Sequence, residues 1–262
     1  EGAEGGGHPR KPKAPKQLRL PRMEDWHFFK KDRIIEIFEM EKKIFDDCLD
    51  DGEVPAPVNG RLPLLPPEIE VEKRSLLSQG FGDWTRVQFN AFLRASSRHG
   101  RNEYDKIAKE VVRPVDDVKR YAAIYWATGL DVFGKNEWDK NLRMIEKGEA
   151  KLEESNRLKA AIAVLIGQYD NAWEKMPYLR DVPTTGQRTF NADEDRFLLC
   201  LTHLYGQGSW DLIRKAIRTS EQFRFNFFLQ SCTEDNIARR CEGLMKAARM
   251  QLLEIEEKKE YE

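Results

Sequence analysis

Apolar residues recur along this chain at steps of three and four with charges between them, the period of α-helices buried by one face. Strand signals are nearly absent, with no Asn-Gly hairpin read and no sustained alternation, so the pattern predicts an all-α fold. Trp26, Phe29, Ile34, Ile37, Phe38, Glu41, Ile44 and Phe45 form a first stripe, which stops before the loop or extended connector DDGEVPAPVNGRLPLLPP. A helix over 68–79 follows, and Gly80 and Gly82 mark its end. The next helix, over about 85–97, has Val87, Phe89, Phe92 and Leu93 as inward positions and Gly100 as its stop. A short helix then carries Tyr104, Ile107 and Ala108, Pro114 makes the turn, and a third helix over 115–127 puts Val118, Tyr121, Ala122 and Tyr125 on one face. From 138 to 169 the apolar steps describe one long helix with Gly148 as its candidate kink, and 171–187, with Pro177, Pro183 and Gly186, reads as a loop.

The pattern then repeats. In FGDWTRVQFNAFLRASSRHGRNEYDKIA (81–108) and RTFNADEDRFLLCLTHLYGQGSWDLIRKA (188–216), Trp84 and Gly100 stand as far apart as Phe190 and Gly206. Tyr104 and Trp210 follow those glycines at one spacing, and Ile107 and Ile213 at another, a coincidence that points to an internal repeat. Val118, Tyr121, Ala122 and Tyr125 match Ile237, Arg240, Cys241 and Leu244 in relative spacing. The copies differ mainly by an insertion over 218–230 that contains SEQFRFNFF; its phenylalanines cannot share one helical face, so some are expected to pack inward and others against a neighbouring element, core packing being favoured over a stacking platform and Arg224 being the residue that faces phosphate.

Three short helices around widely spaced aromatics, with a turn before the third, resemble the Myb and SANT helix-turn-helix family. The first copy resembles a SANT domain. The second, with FRFNFF and IARRCEGL, resembles the SLIDE domain of ISWI-type chromatin-remodelling ATPases. DWHFF and the acidic helical stretch after it are similar to the HAND domain, EKRSLLSQGF leads into SANT as in the family, and the long helix is similar to the spacer. Cys232 departs from the pattern, standing where the family usually has a basic residue. The boundaries expected are a basic arm at 1–23, a HAND-like domain at 24–80, SANT at 81–135, spacer helix and loop at 136–180, SLIDE at 181–250 and a charged tail at 251–262. The resemblance implies the C-terminal module of a remodeller, binding linker DNA and nucleosomes in the nucleus without hydrolysing ATP, its long helix acting as a ruler between SANT and SLIDE. Histone tails and an accessory remodeller subunit are the further partners it implies.

Charge locates the binding surface. Charged residues make up 34% of the 262 residues, yet the net charge is −1. HPRKPKAPKQLRLPR at 8–22 is a flexible basic arm whose Arg10, Lys11, Lys13 and Lys16 fit a linker best, with DNA contact or nuclear import as alternatives. Acids outnumber bases through 24–80, whereas the two repeats are mildly basic. On the third helix of the second repeat, Arg239, Lys246 and Arg249 project outward and Arg240 flanks the core face, with Glu242 among them. Arg214, Lys215, Arg218 and Arg224 form a second cluster, and Arg188 opens the repeat. Lysine and arginine bind phosphate by Coulomb attraction and counterion release, and the Asn and Gln pattern that reads bases is absent, so weakly sequence-dependent backbone binding is expected. In the first repeat Arg94, Arg98, Arg101, Lys119 and Arg120 could meet DNA or histone, but Asp116 and Asp117 open its third helix, making it the poorer DNA reader; plain packing is the alternative.

Catalytic signals are weak. The histidines form no paired motif, and Gly206-Gln207-Gly208 lacks the lysine and hydroxyl of a phosphate-binding loop. The acids at 46–51 lack EF-hand spacing, and the four cysteines show no ligand spacing, reading as reduced core thiols. No cofactor, metal or catalytic residue is therefore expected, and no apolar run reaches membrane-spanning length. The reading is an intracellular DNA-binding module, with a protein-interaction scaffold as its main alternative and a sequence-specific Myb-type factor as a third.

Overall fold

A computed structural model describes residues 15–52, 54–58, 60–179, 182 and 190–260, and it is all-α. Among the described residues no β-strand occurs. Val58 and Arg61, which flank an Asn-Gly dipeptide in the sequence, exchange two backbone hydrogen bonds of 2.7 and 3.0 Å in an isolated bridge, a minimal reversal that the hydrophobic pattern did not signal. Two compact units result, the first ending at Glu149 and the second beginning at Ala150, a boundary that falls within a helix.

In the first unit, α1 (Lys31–Asp50) and α2 (Pro67–Gln79) bury Ile34, Ile37, Phe38 and Leu76 against each other. The glutamate in that apolar stripe has a reason: Glu41 is fully buried and takes hydrogen bonds from Lys73 and, at 2.6 Å, from Gln17. Lys73 lies 4.1 Å from the centroid of the Phe38 ring, so the cation is also held by an aromatic face. The stripe is not one helix, however. Trp26 sits in a 3-10 turn (Asp25–His27), and it stacks on Phe89 while Phe28 packs on Phe81 and Tyr121; Phe29 joins the α1–α2 core. His27 ties that turn down, its Nδ1 accepting from the Glu24 amide at 3.1 Å and its Nε2 donating to the Trp84 carbonyl at 2.9 Å.

Helices α3 (Arg86–His99), α4 (Tyr104–Val111) and the start of α5 (Val115–Gly167) enclose an aromatic core of Phe81, Trp84, Phe89, Phe92, Tyr121 and Tyr125. The Trp84 and Tyr121 rings stack at 3.6 Å and 5°. Val87 is not inward as expected but 73% exposed: with Phe89, Phe92 and Leu93 buried, a residue two positions before Phe89 falls on the opposite side of a 3.6-residue helix. The break in α5 also differs from expectation. It lies at Gly134 (φ 72°, ψ 163°), and the helix that begins at Val115 continues to it. Gly148 is required for a different reason, because a Cβ there would lie 2.0 Å from the Ser97 carbonyl oxygen; it permits a close helix contact rather than a bend.

In the second unit, α6 (Ala172–Lys175), α7 (Ala192–Tyr205), α8 (Trp210–Thr219), α9 (Phe227–Ser231) and α10 (Glu234–Glu260) pack with the last part of α5. Leu158, Ile162 and Leu165 of α5 meet Leu198, Ile213, Ile217, Ile237, Cys241 and Leu244 in that core. Burial pushes the Cys200 thiol up to about 11 and the Cys241 thiol up to about 12, which keeps both protonated and inert at neutral pH.

The local chemistry of α3 and α7 is the same. Thr85 with Gln88, and Asn191 with Glu194, each form a capping box, and Gly100 (φ 95°) and Gly206 (φ 86°) each end the helix. Each box satisfies two amides that the first helical turn leaves without partners. Each glycine takes a backbone geometry that a side chain disfavours.

Candidate nucleic-acid interface

The candidate basic residues of the second unit that the structure describes sit on α8, α10 and the turn leading into α9. Asn226 caps α9, its Oδ1 accepting from the Leu229 amide at 3.0 Å, and Thr233 Oγ1 accepts from Asn236 N at 3.3 Å at the start of α10. With Ile237, Cys241, Leu244, Met245 and Ala248 buried, the helical period turns Arg239, Glu242 and Lys246 to solvent.

The structure sorts the expected cations by what already holds them. Arg240 is only 9% exposed and grips both oxygens of Asp195 at 2.7 and 2.5 Å, with its guanidinium 5.3 Å from the centroid of the Phe190 ring. It bolts α10 to α7 and faces the interior. Arg249 places Nη1 2.8 Å from both oxygens of Glu154, joining α10 to α5. Arg214 reaches Glu234 at 3.3 Å, and Arg224 approaches Glu221 at 3.8 Å. Among the described residues Arg239 bonds only neutral oxygens, Asn236 Oδ1 at 3.1 Å and the Asp235 carbonyl at 3.3 Å, and none of them compensates its charge. Lys215, Arg218 and Lys246 are exposed and, among the described residues, have no ion-pair partner. Arg188 lies outside the described residues.

In the first unit most candidates are engaged. Arg98 meets Glu110 at 2.8 Å, Lys119 lies 4.0 Å from Asp116, and Arg101 forks onto Glu149 at 2.7 to 3.1 Å while covering Trp126. The Arg101 guanidinium holds the Glu149 carboxyl below the usual range, and the hydrogen bond from His99, then Arg98, does the same for Glu110. Arg120 is exposed beside the Phe81 ring at 4.9 Å, and Arg94 is exposed with no ion pair among the described residues. Of the cations singled out in the sequence, Arg94 and Arg120 in the first unit and Lys215, Arg218, Arg239 and Lys246 in the second keep no ion pair among the described residues.

The phenylalanine insertion divides, and only half of it follows the core-packing expectation. Phe223 is buried against Phe197 at 4.7 Å and Phe228 meets Phe190 at 5.0 Å, as core packing predicts. Phe225 and Phe227 are instead 80% and 78% exposed. Alternating Phe, Arg, Phe, Asn gives no helical phase from which that division could be read.

Comparison with known proteins identifies a domain in this chain. Residues 139–251 match the SLIDE domain family. An ISWI chromatin-remodeling complex ATPase of Arabidopsis thaliana is 33% identical over 259 residues, covering 96% of this chain and 24% of that protein. SWI/SNF-related matrix-associated actin-dependent regulator of chromatin subfamily A member 1 of Homo sapiens is 32% identical over 209 residues, 78% of this chain and 20% of that protein. An ISWI chromatin-remodeling complex ATPase of Saccharomyces cerevisiae is 27% identical over 261 residues, 91% of this chain and 23% of that protein. The helical fold and the matched domain define a SLIDE-containing chromatin region. More particularly, the chain is similar over most of its length to ISWI-type remodelling ATPases and corresponds to their HAND-SANT-SLIDE region, spanning about a quarter of the length of these relatives.

Proposed function

We propose that this chain is the DNA-binding region of an ISWI-type remodeller, holding linker and nucleosomal DNA by the phosphate backbone in the nucleus. It is non-catalytic in this reading, and it supports the sliding and spacing of nucleosomes by an ATPase to which it belongs. The observation that carries the reading is that four of the candidate cations in the second unit, Lys215, Arg218, Arg239 and Lys246, are exposed and have no carboxylate partner among the described residues. Such groups release counterions from DNA and position a protein without reading sequence. Glu242 sits between Arg239 and Lys246 and tempers the affinity. Arg240 and Arg249 belong in this proposal to the supports of the surface rather than to its contacts, while Arg214 and Arg224 lie at its edge.

Titration of a linker duplex across a range of salt tests the reading. The logarithm of affinity is expected to fall linearly with that of salt, and Lys215→Glu with Lys246→Glu to flatten the slope by about 0.9 for each phosphate that is no longer neutralised. Unchanged affinity in that variant ends the proposal. A selection from random duplexes is expected to return no tight consensus, against the Myb-type alternative.

The first unit supports a second reading, contact with a histone tail or an accessory subunit. The observation behind it is the pairing of Arg98, Arg101 and Lys119 with Glu110, Glu149 and Asp116, which occupies three of the five cations singled out there. The HAND, SANT, spacer and SLIDE boundaries at 24–80, 81–135, 136–180 and 181–250 remain part of the proposal.

A further inference from the structure

Phe225 and Phe227 are large apolar side chains held in water by a turn that is itself well fastened. Backbone bonds run from Arg224 N to the Glu221 carbonyl at 3.3 Å and from Asn226 N to the Phe223 carbonyl at 3.0 Å. The Gln230 side chain donates to the carbonyls of both Phe223 and Arg224 at 3.0 Å, and Asn226 donates to the buried Glu194. Phe223 and Phe228, on either side, anchor the segment in the core. The two exposed rings are therefore displayed by a braced backbone, and little conformational entropy remains to be lost when they bind.

Their surroundings select the occupant. Arg224 covers the Phe225 ring at 5.6 Å, and the exposed Lys215 and Arg218 lie on the helix that feeds the turn. Glu221 is the exposed carboxylate on the turn, and it lies 3.8 Å from Arg224. An apolar projection flanked by cations fits a polyanion that also offers apolar faces. Duplex DNA meets both needs, because its phosphates take the cations and a base-pair step, once partly opened, accepts an apolar wedge.

We propose that Phe225 and Phe227 form a wedge that inserts at a base-pair step of the DNA, kinks it, and makes this unit sensitive to duplex deformability. The inference rests on the DNA-binding reading above and adds to it a base-stack contact and a preference. Wedging requires unstacking, which costs least at pyrimidine–purine steps and most in stiff A-tracts. Binding therefore favours duplexes with a TA or CA step over an A-tract of equal length, although no base edge is read.

The test uses the whole chain and defined duplexes carrying either a central TA step or an A-tract, with 2-aminopurine beside the step and a donor–acceptor pair at the ends. Wild type is expected to raise the 2-aminopurine signal, shorten the end-to-end distance and prefer the TA duplex several-fold. Phe225→Ala with Phe227→Ala is expected to lose all three and about tenfold in affinity for the TA duplex, with the salt slope unchanged. Phe225→Leu with Phe227→Leu, which keeps an apolar wedge, is expected to retain the bend in part. The double alanine variant is checked for wild-type helicity and thermal stability, since neither ring contributes to the core.

Equal bending, step preference and affinity in wild type and the double alanine variant overturn the wedge while leaving backbone binding intact. That result assigns the two rings to a protein partner. Failure of wild type to bind any duplex overturns the DNA-binding reading and the wedge with it. Loss of binding in Lys215→Glu with Lys246→Glu alone, with no effect of the alanines, separates a true cationic surface from a false wedge.

Discussion

Arg239 and Arg240 are neighbours of identical chemistry with opposite assignments. One faces water beside Asn236, and the other is locked onto Asp195 inside the second unit. Asp195→Ala removes the carboxylate that Arg240 grips with two hydrogen bonds and is expected to cost about 3–5 kcal/mol, read from urea unfolding of the second unit. Arg239→Ala, by contrast, is expected to stay within about 0.5 kcal/mol of wild type in the same measurement. Gly148 makes a comparable point in the first unit. With a Cβ falling 2.0 Å from the Ser97 carbonyl, Gly148→Ala is expected to destabilise by about 1–3 kcal/mol in thermal unfolding, whereas a kink glycine would tolerate alanine or gain from it. The identity of Gly148 as a special position was legible in the sequence. Its purpose was not, because a close approach involves a residue far away in the chain.

At the scale of elements the repeat was legible because its signals are local. Caps, stops and inward aromatics all act within a few residues, and Thr85, Gln88 and Gly100 recur in kind as Asn191, Glu194 and Gly206. Gly100→Ala and Gly206→Ala are each expected to lower stability by about 1–3 kcal/mol, since both positions hold positive φ with extended ψ, and unfolding by circular dichroism checks it. The first stripe divides between a 3-10 turn and α1 for the converse reason. Trp26 and Phe28 were drawn into an aromatic core supplied by Phe81, Phe89 and Tyr121, and such a partnership leaves no trace in local periodicity. The turn with Phe225 and Phe227 belongs to the same class, its inward and outward sides set by Phe197, Phe190 and Gln230 from outside the turn.

At the scale of the molecule, the ion pairs of the first unit make its stability depend on pH. Asp83 is held below its ordinary range by Arg113, Glu149 by Arg101, and Glu110 by His99 and then Arg98. Their folded values lie below the unfolded ones, so the stabilisation is complete above the ordinary glutamate value of 4.5 and disappears as pH falls through the folded values. Melting of the first unit is expected to move to lower temperature from about pH 5 to about pH 3, and Glu149→Gln to reduce that dependence. The sequence by itself determined the helical class, the two related repeats, the family and the cationic character of the second repeat, because periodicity, caps and charge are properties of adjacent residues. Only the tertiary structure decided which cations stay free and which phenylalanines remain in water. A charge is neutralised, and a ring is buried, by whatever folding brings beside it from elsewhere in the chain.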